Sequence, residues 1–153
     1  MKQRVVLIII LVFLVIIVIP STVLIICGNE EEPQQIDPKW GIVQSVENVT
    51  STGLTIVWNR DNAKNTVDLV TGEGYNLEKK TPFGWRTVPT IIEEYGVNAM
   101  GYLITVYRDG RQEVDWEWLY GELPKGTYRI WKTISLSVGT EVVGRCYTEF
   151  EIR

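Results

Sequence analysis

Asp115 and Glu117 are the residues whose type and spacing first suggest chemistry. Two positions apart in an extended run, they would point to one side of the chain. Paired carboxylates of this kind serve glycoside hydrolysis or hold Ca²⁺. A glycosidase also needs a cleft, and a small sandwich offers little room for one. The plainer expectation is that both are solvated beside Trp116 and Trp118, whose rings alternate inward. The chain contains no histidine. That removes the usual general base, the Ser-His-Asp and Cys-His arrangements, and His-containing zinc sites. The two cysteines are Cys27 and Cys146. They lie too far apart in the organisation of the chain to suggest a disulfide. Cys146 reads as a small buried hydrophobe in a strand, and a lone thiol without a histidine is a poor nucleophile. No catalytic residue, cofactor or metal site is assigned, and the chain is expected not to be an enzyme.

The aromatic residues suggest binding instead. All six tryptophans follow position 27. Trp58 and Trp131 lie in strand-like runs and are expected in the core. Trp40 sits at a boundary and could pack on the base of the domain. Trp85 lies on a short hairpin strand and could be exposed. Exposed rings beside carboxylates can stack sugars, so Trp85, Asp115 and Glu117 are the candidate ligand contacts.

Charge and hydropathy divide the chain sharply. Val5 to Ile26 form 22 residues without a charge, preceded by Lys2 and Arg4 and followed by Glu30-Glu31-Glu32. A helix of that length spans roughly 33 Å, enough for a hydrocarbon core of about 30 Å. The basic start predicts an N-terminus inside and the remainder outside. Three fates are open: an uncleaved anchor, which is favoured, a lipoprotein signal with lipidation at Cys27, or simple secretion. Ile26 is bulky where a lipobox has a small residue, and no Ala-x-Ala pattern precedes Gly28. Residues 28–153 carry 13 basic and 19 acidic side chains, a net charge of −6. An acidic domain argues against a nucleic-acid partner, which needs clustered Lys and Arg.

Three regions follow: a membrane anchor or lipoprotein signal segment at 1–27, an acidic linker at 28–40, and a domain at 41–153. The linker contains two prolines and three consecutive glutamates, and reads as extended and solvated. Beyond it, no long window shows 3.6-residue periodicity. Short alternating runs bounded by Gly, Pro, Asn and Asp predict strands at 42–49, 53–59, 67–70, 74–80, 84–88, 102–107, 111–115, 127–135 and 142–152. Thr81-Pro82-Phe83-Gly84 predicts a hairpin turn, and Asp109-Gly110 a second turn. Trp118 to Gly121 predicts a single helical turn. In the last strand Cys146, Thr148, Phe150 and Ile152 face one side, and Arg145, Tyr147, Glu149 and Glu151 the other. That is the pattern of a half-buried edge strand in a two-layer core. Leu123-Pro124-Lys125-Gly126 is a turn feeding the strand that carries Tyr128, which predicts a tyrosine corner.

Several of these motifs resemble a family of bacterial immunoglobulin-like domains. They are Tyr75-Asn-Leu-Glu-Lys79, Gly84-Trp85 with Val88-Pro89, Tyr102-Leu103, and above all the run from Val114 to Ile130. The resemblance covers about 42–152. It implies an all-β, immunoglobulin-like sandwich in an extracytoplasmic protein of Gram-positive bacteria that is membrane-anchored or lipid-anchored. Such domains also occur at the C-termini of antibiotic-sensing membrane metallopeptidases, but no peptidase portion is present here. The family supplies no catalytic residue to carry over. The functional expectation is a membrane-tethered extracytoplasmic binding or interaction module for a protein or glycan ligand. The alternative is an envelope sensor or accessory subunit that binds a peptide or cell-wall glycan and acts through a membrane partner.

Overall fold

The computed structural model describes residues 35–96, 100–139 and 141–153. The apolar segment, Cys27 and the start of the acidic linker lie outside the described residues. Among those described, no helix is long and apolar enough to cross a membrane.

Among the described residues, nine strands form two antiparallel sheets. β1 (Val43–Glu47), β2 (Gly53–Asn59) and β7 (Gly110–Asp115) make a three-stranded sheet in the order β1-β2-β7. The other sheet holds β3 (Leu69–Gly72), β4 (Asn76–Thr81), β5 (Gly84–Thr87), β6 (Gly101–Ile104), β8 (Gly126–Leu136) and β9 (Val142–Ile152). β8 is its spine. Along one side it pairs with β9 over its whole length. Along the other it pairs with β4 through Tyr128–Trp131 and with β3 through Ile134–Leu136. β3 and β4 are therefore two halves of one line, interrupted at Glu73–Tyr75. β5 extends β4, and β6 extends β3.

The two-residue period of a strand decides which side chains meet between the sheets. From β8, Tyr128, Ile130 and Ile134 turn inward and are fully buried. Ile56, Trp58 and Trp116 reach them from the opposing layer, also fully buried. Trp116, Phe150 and Tyr128 stack in a row, with centroids 5.9 and 5.8 Å apart. β2 is buried on both faces: its inner residues pack in the core, and its outer ones are flanked by side chains of β1 and β7. On its outer side the Arg111–Glu47 ion pair crosses from β7 to β1 over Thr55 and Val57. Alkyl stems of such pairs shield apolar neighbours.

Two polar devices close the ends. Tyr128 Oη donates to Pro124 O at 2.7 Å, which is the corner expected from the Leu123–Gly126 turn. Arg60 is 2% exposed, and its guanidinium donates to the carbonyls of Trp40, Asn65, Val67 and Ile104. It thereby ties the β2–β3 loop to the base of the domain.

The differences from the sequence reading have local causes. Residues before 41 also pack on the sandwich. Gln35 bridges Arg145, Ile36 N donates to Arg145 O at 2.8 Å, and Pro38–Trp40 form a 3-10 turn that buries Trp40. Gly144, at φ +148°, leaves the space that Ile36 occupies; a Cβ there would sit 2.7 Å from Ile36 Cα. β6 ends at Ile104 rather than 107, because Thr105 Oγ1 accepts the Tyr107 N–H and turns the chain. β3 runs two residues later than expected, over Leu69–Gly72. The turn at Asp109-Gly110 joins the two sheets and makes no hairpin within one. Trp118 is 49% exposed rather than turned inward, since the strand stops at Asp115 and α1 (Glu117–Tyr120) follows.

Tyr128→Phe should cost about 1–3 kcal/mol, because Pro124 O is left without its donor. Tyr147→Phe should change stability by less than about 0.5 kcal/mol, since that ring lies on the outer face. Urea denaturation of the two variants checks the pair; equal losses would contradict the corner.

Candidate functional site

Interrupting a strand leaves the sheet with unpaired carbonyls, and here β8 supplies the partner. Tyr128, Ile130, Lys132 and Ile134 share its inward face, so the register sends one lysine into the core. Lys132 is 1% exposed. Its ammonium donates to Gly72 O, to Glu73 O at 3.2 Å and to Gly74 O at 2.8 Å, the carbonyls of the break. A fourth contact, 2.8 Å, reaches Gln112 Oε1 on β7. Gln112 Nε2 in turn donates to Glu73 O at 2.9 Å. One cation and one amide thus fasten the β3–β4 break to both sheets. Burial pushes the Lys132 ammonium down to about 8, opposed by the neighbouring Cys146 and Glu73.

Above this brace lies an open cleft of about 620 Å³. The break forms one wall, through Glu73 and Tyr75. The free edge of β7 forms another, through Glu113 and Asp115. Trp118 on α1, Tyr95 and Trp131 complete it. Tyr95 meets Trp118 edge to face at 5.9 Å, and Tyr75 packs on Tyr120 at 6.3 Å. The Trp118 indole donates to Asp115 O at 2.9 Å, which holds the ring over the mouth. Tyr75 Oη is buried and has no hydrogen-bond partner among the described residues. Burial first, then the fields of Tyr120, Asp115, Tyr95 and Glu73, raise its pKa well above the ordinary value. Burial and Tyr95 likewise push Tyr120 up to about 12.

The candidate ligand contacts separate. Asp115 lines the cleft. Glu117 does not; it opens α1, and its N–H is capped by Asp115 Oδ1 at 3.0 Å. The two carboxylates therefore do not form a facing pair. Trp85 lies on the outer face of the larger sheet and takes no part in the cleft. Its ring is covered by the chain's own cations, with the Arg129 guanidinium 4.6 Å and the Lys80 ammonium 5.5 Å from its centroid. Arg129 also lies over Trp131 at 4.8 Å and Tyr147 at 5.4 Å. Arg129 Nε and Trp131 Nε1 both donate to Glu78 Oε2. Trp131 is 3% exposed, yet it belongs to this outer cluster and to the cleft wall rather than to the layer between the sheets.

Trp58 is fully buried, and its indole donates to Gln44 Oε1 at 2.9 Å. The Cys146 thiol donates to the same oxygen at 3.0 Å. Burial pushes that thiol up to about 12, so it carries no thiolate at neutral pH. Lys132, Tyr75, Tyr95 and Trp118 were not among the residues singled out for the site. Two signals could have found them: a lysine on the apolar face of β8, and Gly72-Glu73-Gly74 breaking a strand-like run.

These ionisations have opposite effects on stability. Lys132 has its folded pKa lowered from 10.5, so the unfolded chain binds more protons between about pH 8 and 10.5. Stability should rise with pH in that window, by on the order of 1 kcal/mol per unit. Cys146, raised from 9.0, acts the other way between about pH 9 and 12. Tyr75 and Tyr120, raised from 10.0, add to that loss. Urea midpoints should therefore climb from pH 8 to 9, level off, and fall beyond about pH 10. Lys132→Met should abolish the climb and keep the fall.

No curated protein matches the chain. The bacterial Ig-like domain family matches residues 37–151, from the 3-10 turn at the base to the end of β9. With its two sheets, its corner tyrosine and this match over most of its length, the chain belongs to the bacterial Ig-like domain family.

Proposed function

We propose that the domain is a non-catalytic binding module, held outside the cell membrane by the apolar segment at 5–26, and that it takes its ligand in the cleft between β7 and the β3–β4 break. The observation that carries this reading is the cleft itself. It brings aromatic rings, carboxylates and an unsatisfied hydroxyl together. Binding sites combine apolar walls with a few placed polar groups in this way. The Lys132 ammonium is spent on structural oxygens, and the Cys146 thiol stays protonated and buried. Neither is offered to a substrate, which favours binding over catalysis.

The basic start and the acidic residues after the apolar segment support an N-terminus inside and the domain outside. Single-pass anchoring and lipidation at Cys27 both meet the requirement. Cys27→Ser distinguishes them, since release from the membrane or altered processing follows only if the cysteine is lipidated.

Peptidoglycan fragments, glycan and peptide alike, titrated against the full chain in nanodiscs should quench tryptophan fluorescence saturably. Trp118→Ala should weaken binding at least tenfold while the unfolding midpoint stays near that of the parent, because the ring is half-exposed. Binding unchanged by Trp118→Ala would move the site elsewhere.

A further inference from the structure

We infer that the cleft takes a peptide-like ligand bearing a primary ammonium group, an inference that rests on the binding reading above. The residues lining the cleft include three carboxylates, Glu73, Glu113 and Asp115, and neither lysine nor arginine. Four aromatic side chains share the lining. Carboxylates and ring faces both attract cations. Neither Glu113 nor Asp115 forms an ion pair among the described residues. Three cations around the lining are engaged with the chain's own groups. Arg129 lies over Trp131 and donates to Glu78. Lys132 is held by four oxygens beneath the cleft, and Arg111, two residues from Glu113, is paired with Glu47.

Tyr75 narrows the type of cation. Its hydroxyl oxygen is buried at the wall without a partner, and the phenol keeps its proton because burial and the nearby carboxylates oppose ionisation. A phenol oxygen can accept a hydrogen bond, so a donor that displaces the lining now covering this hydroxyl meets an unfilled acceptor. A primary ammonium carries three N–H donors, which suits two carboxylates and one hydroxyl. A quaternary ammonium carries none and would leave the hydroxyl orphaned.

The edge of β7 indicates the rest of the ligand. Trp116 N donates to Thr52 O at 2.9 Å, toward β2. Val114 O also lies on that side, against Gly53. In an antiparallel strand the main-chain groups alternate, so those of Glu113 face away from β2 and along the cleft. An amide-bearing chain laid there can pair with this edge while its ammonium reaches Asp115 and Tyr75.

The test uses the full chain in zwitterionic nanodiscs and three probes: Nα-acetyl-lysine N-methylamide, its norleucine counterpart and its trimethyl-lysine counterpart. The lysine probe should bind saturably, and the other two at least tenfold more weakly. Asp115→Asn keeps the acceptor that caps α1, and Glu113→Gln lies on an exposed strand position. Each should weaken the lysine probe at least tenfold, and added salt should do the same. Equal binding of lysine and norleucine probes, or lysine affinity unmoved by both variants, overturns the inference. If no lysine binding is seen but a neutral glycan fragment binds and is lost in Trp118→Ala, the ammonium assignment fails while the binding reading stands. If no fragment responds to Trp118→Ala, both fail.

Discussion

A lysine ammonium buried between two β-sheets is costly unless oxygen atoms surround it, and much of this domain is arranged to surround one. Lys132 stands on the inward face of β8, where its neighbours two residues away are isoleucines. Its charge is tolerated because the opposite line of the sheet is broken at Glu73–Tyr75. The break turns three carbonyls toward a single point. Neither feature is stable alone. An unbroken strand would leave the lysine without acceptors, and a break without the lysine would leave carbonyls unpaired in the interior. The cleft follows from this mutual requirement, because a strand interrupted beside the free edge of β7 leaves a gap in the wall of the sandwich.

The other buried polar groups follow the same logic on a smaller scale. Gln44 on β1 sends its amide nitrogen to Ile130 O at 3.1 Å and accepts from both Trp58 and Cys146. One side chain thereby couples the smaller sheet to β8 and β9. Arg60 does for the base of the domain what Lys132 does for the break, by gathering main-chain carbonyls that a loop would leave unpaired. On the outer face, Glu78 and Arg129 form a buried pair roofed by Trp85, Trp131 and Tyr147. That pair lies away from the core, so its aromatic partners stabilise a surface rather than present one. The cleft mouth, by contrast, presents the half-exposed rings of Tyr95 and Trp118.

The strands and the corner were legible because they depend on local pattern. Alternation over Cys146–Ile152 assigned the faces of β9, and the Leu123–Gly126 turn placed Tyr128. The cleft was harder to read because it depends on register between distant segments. Asp115 could be singled out by type, but Glu73 lines the same cleft from the other sheet, and only the packing of the two sheets brings the two segments together. Glu117 does not line up with Asp115 because the strand that would have aligned them ends at Asp115, two residues short. Trp131 illustrates the limit of burial as a guide, since it is nearly inaccessible and yet faces away from the core. Lys132 carried the clearest overlooked signal, a charge on an otherwise apolar face.

The measurement closest to the central claim is the titration of Lys132 itself, followed by NMR of the ¹⁵N-lysine-labelled full chain. Lys132 Nζ should exchange slowly with water and titrate near pH 8, with the Gly72 and Gly74 amides and the Gln112 side chain shifting in the same step. A freely exchanging ammonium titrating at the ordinary 10.5, with no response at the break, would contradict the account.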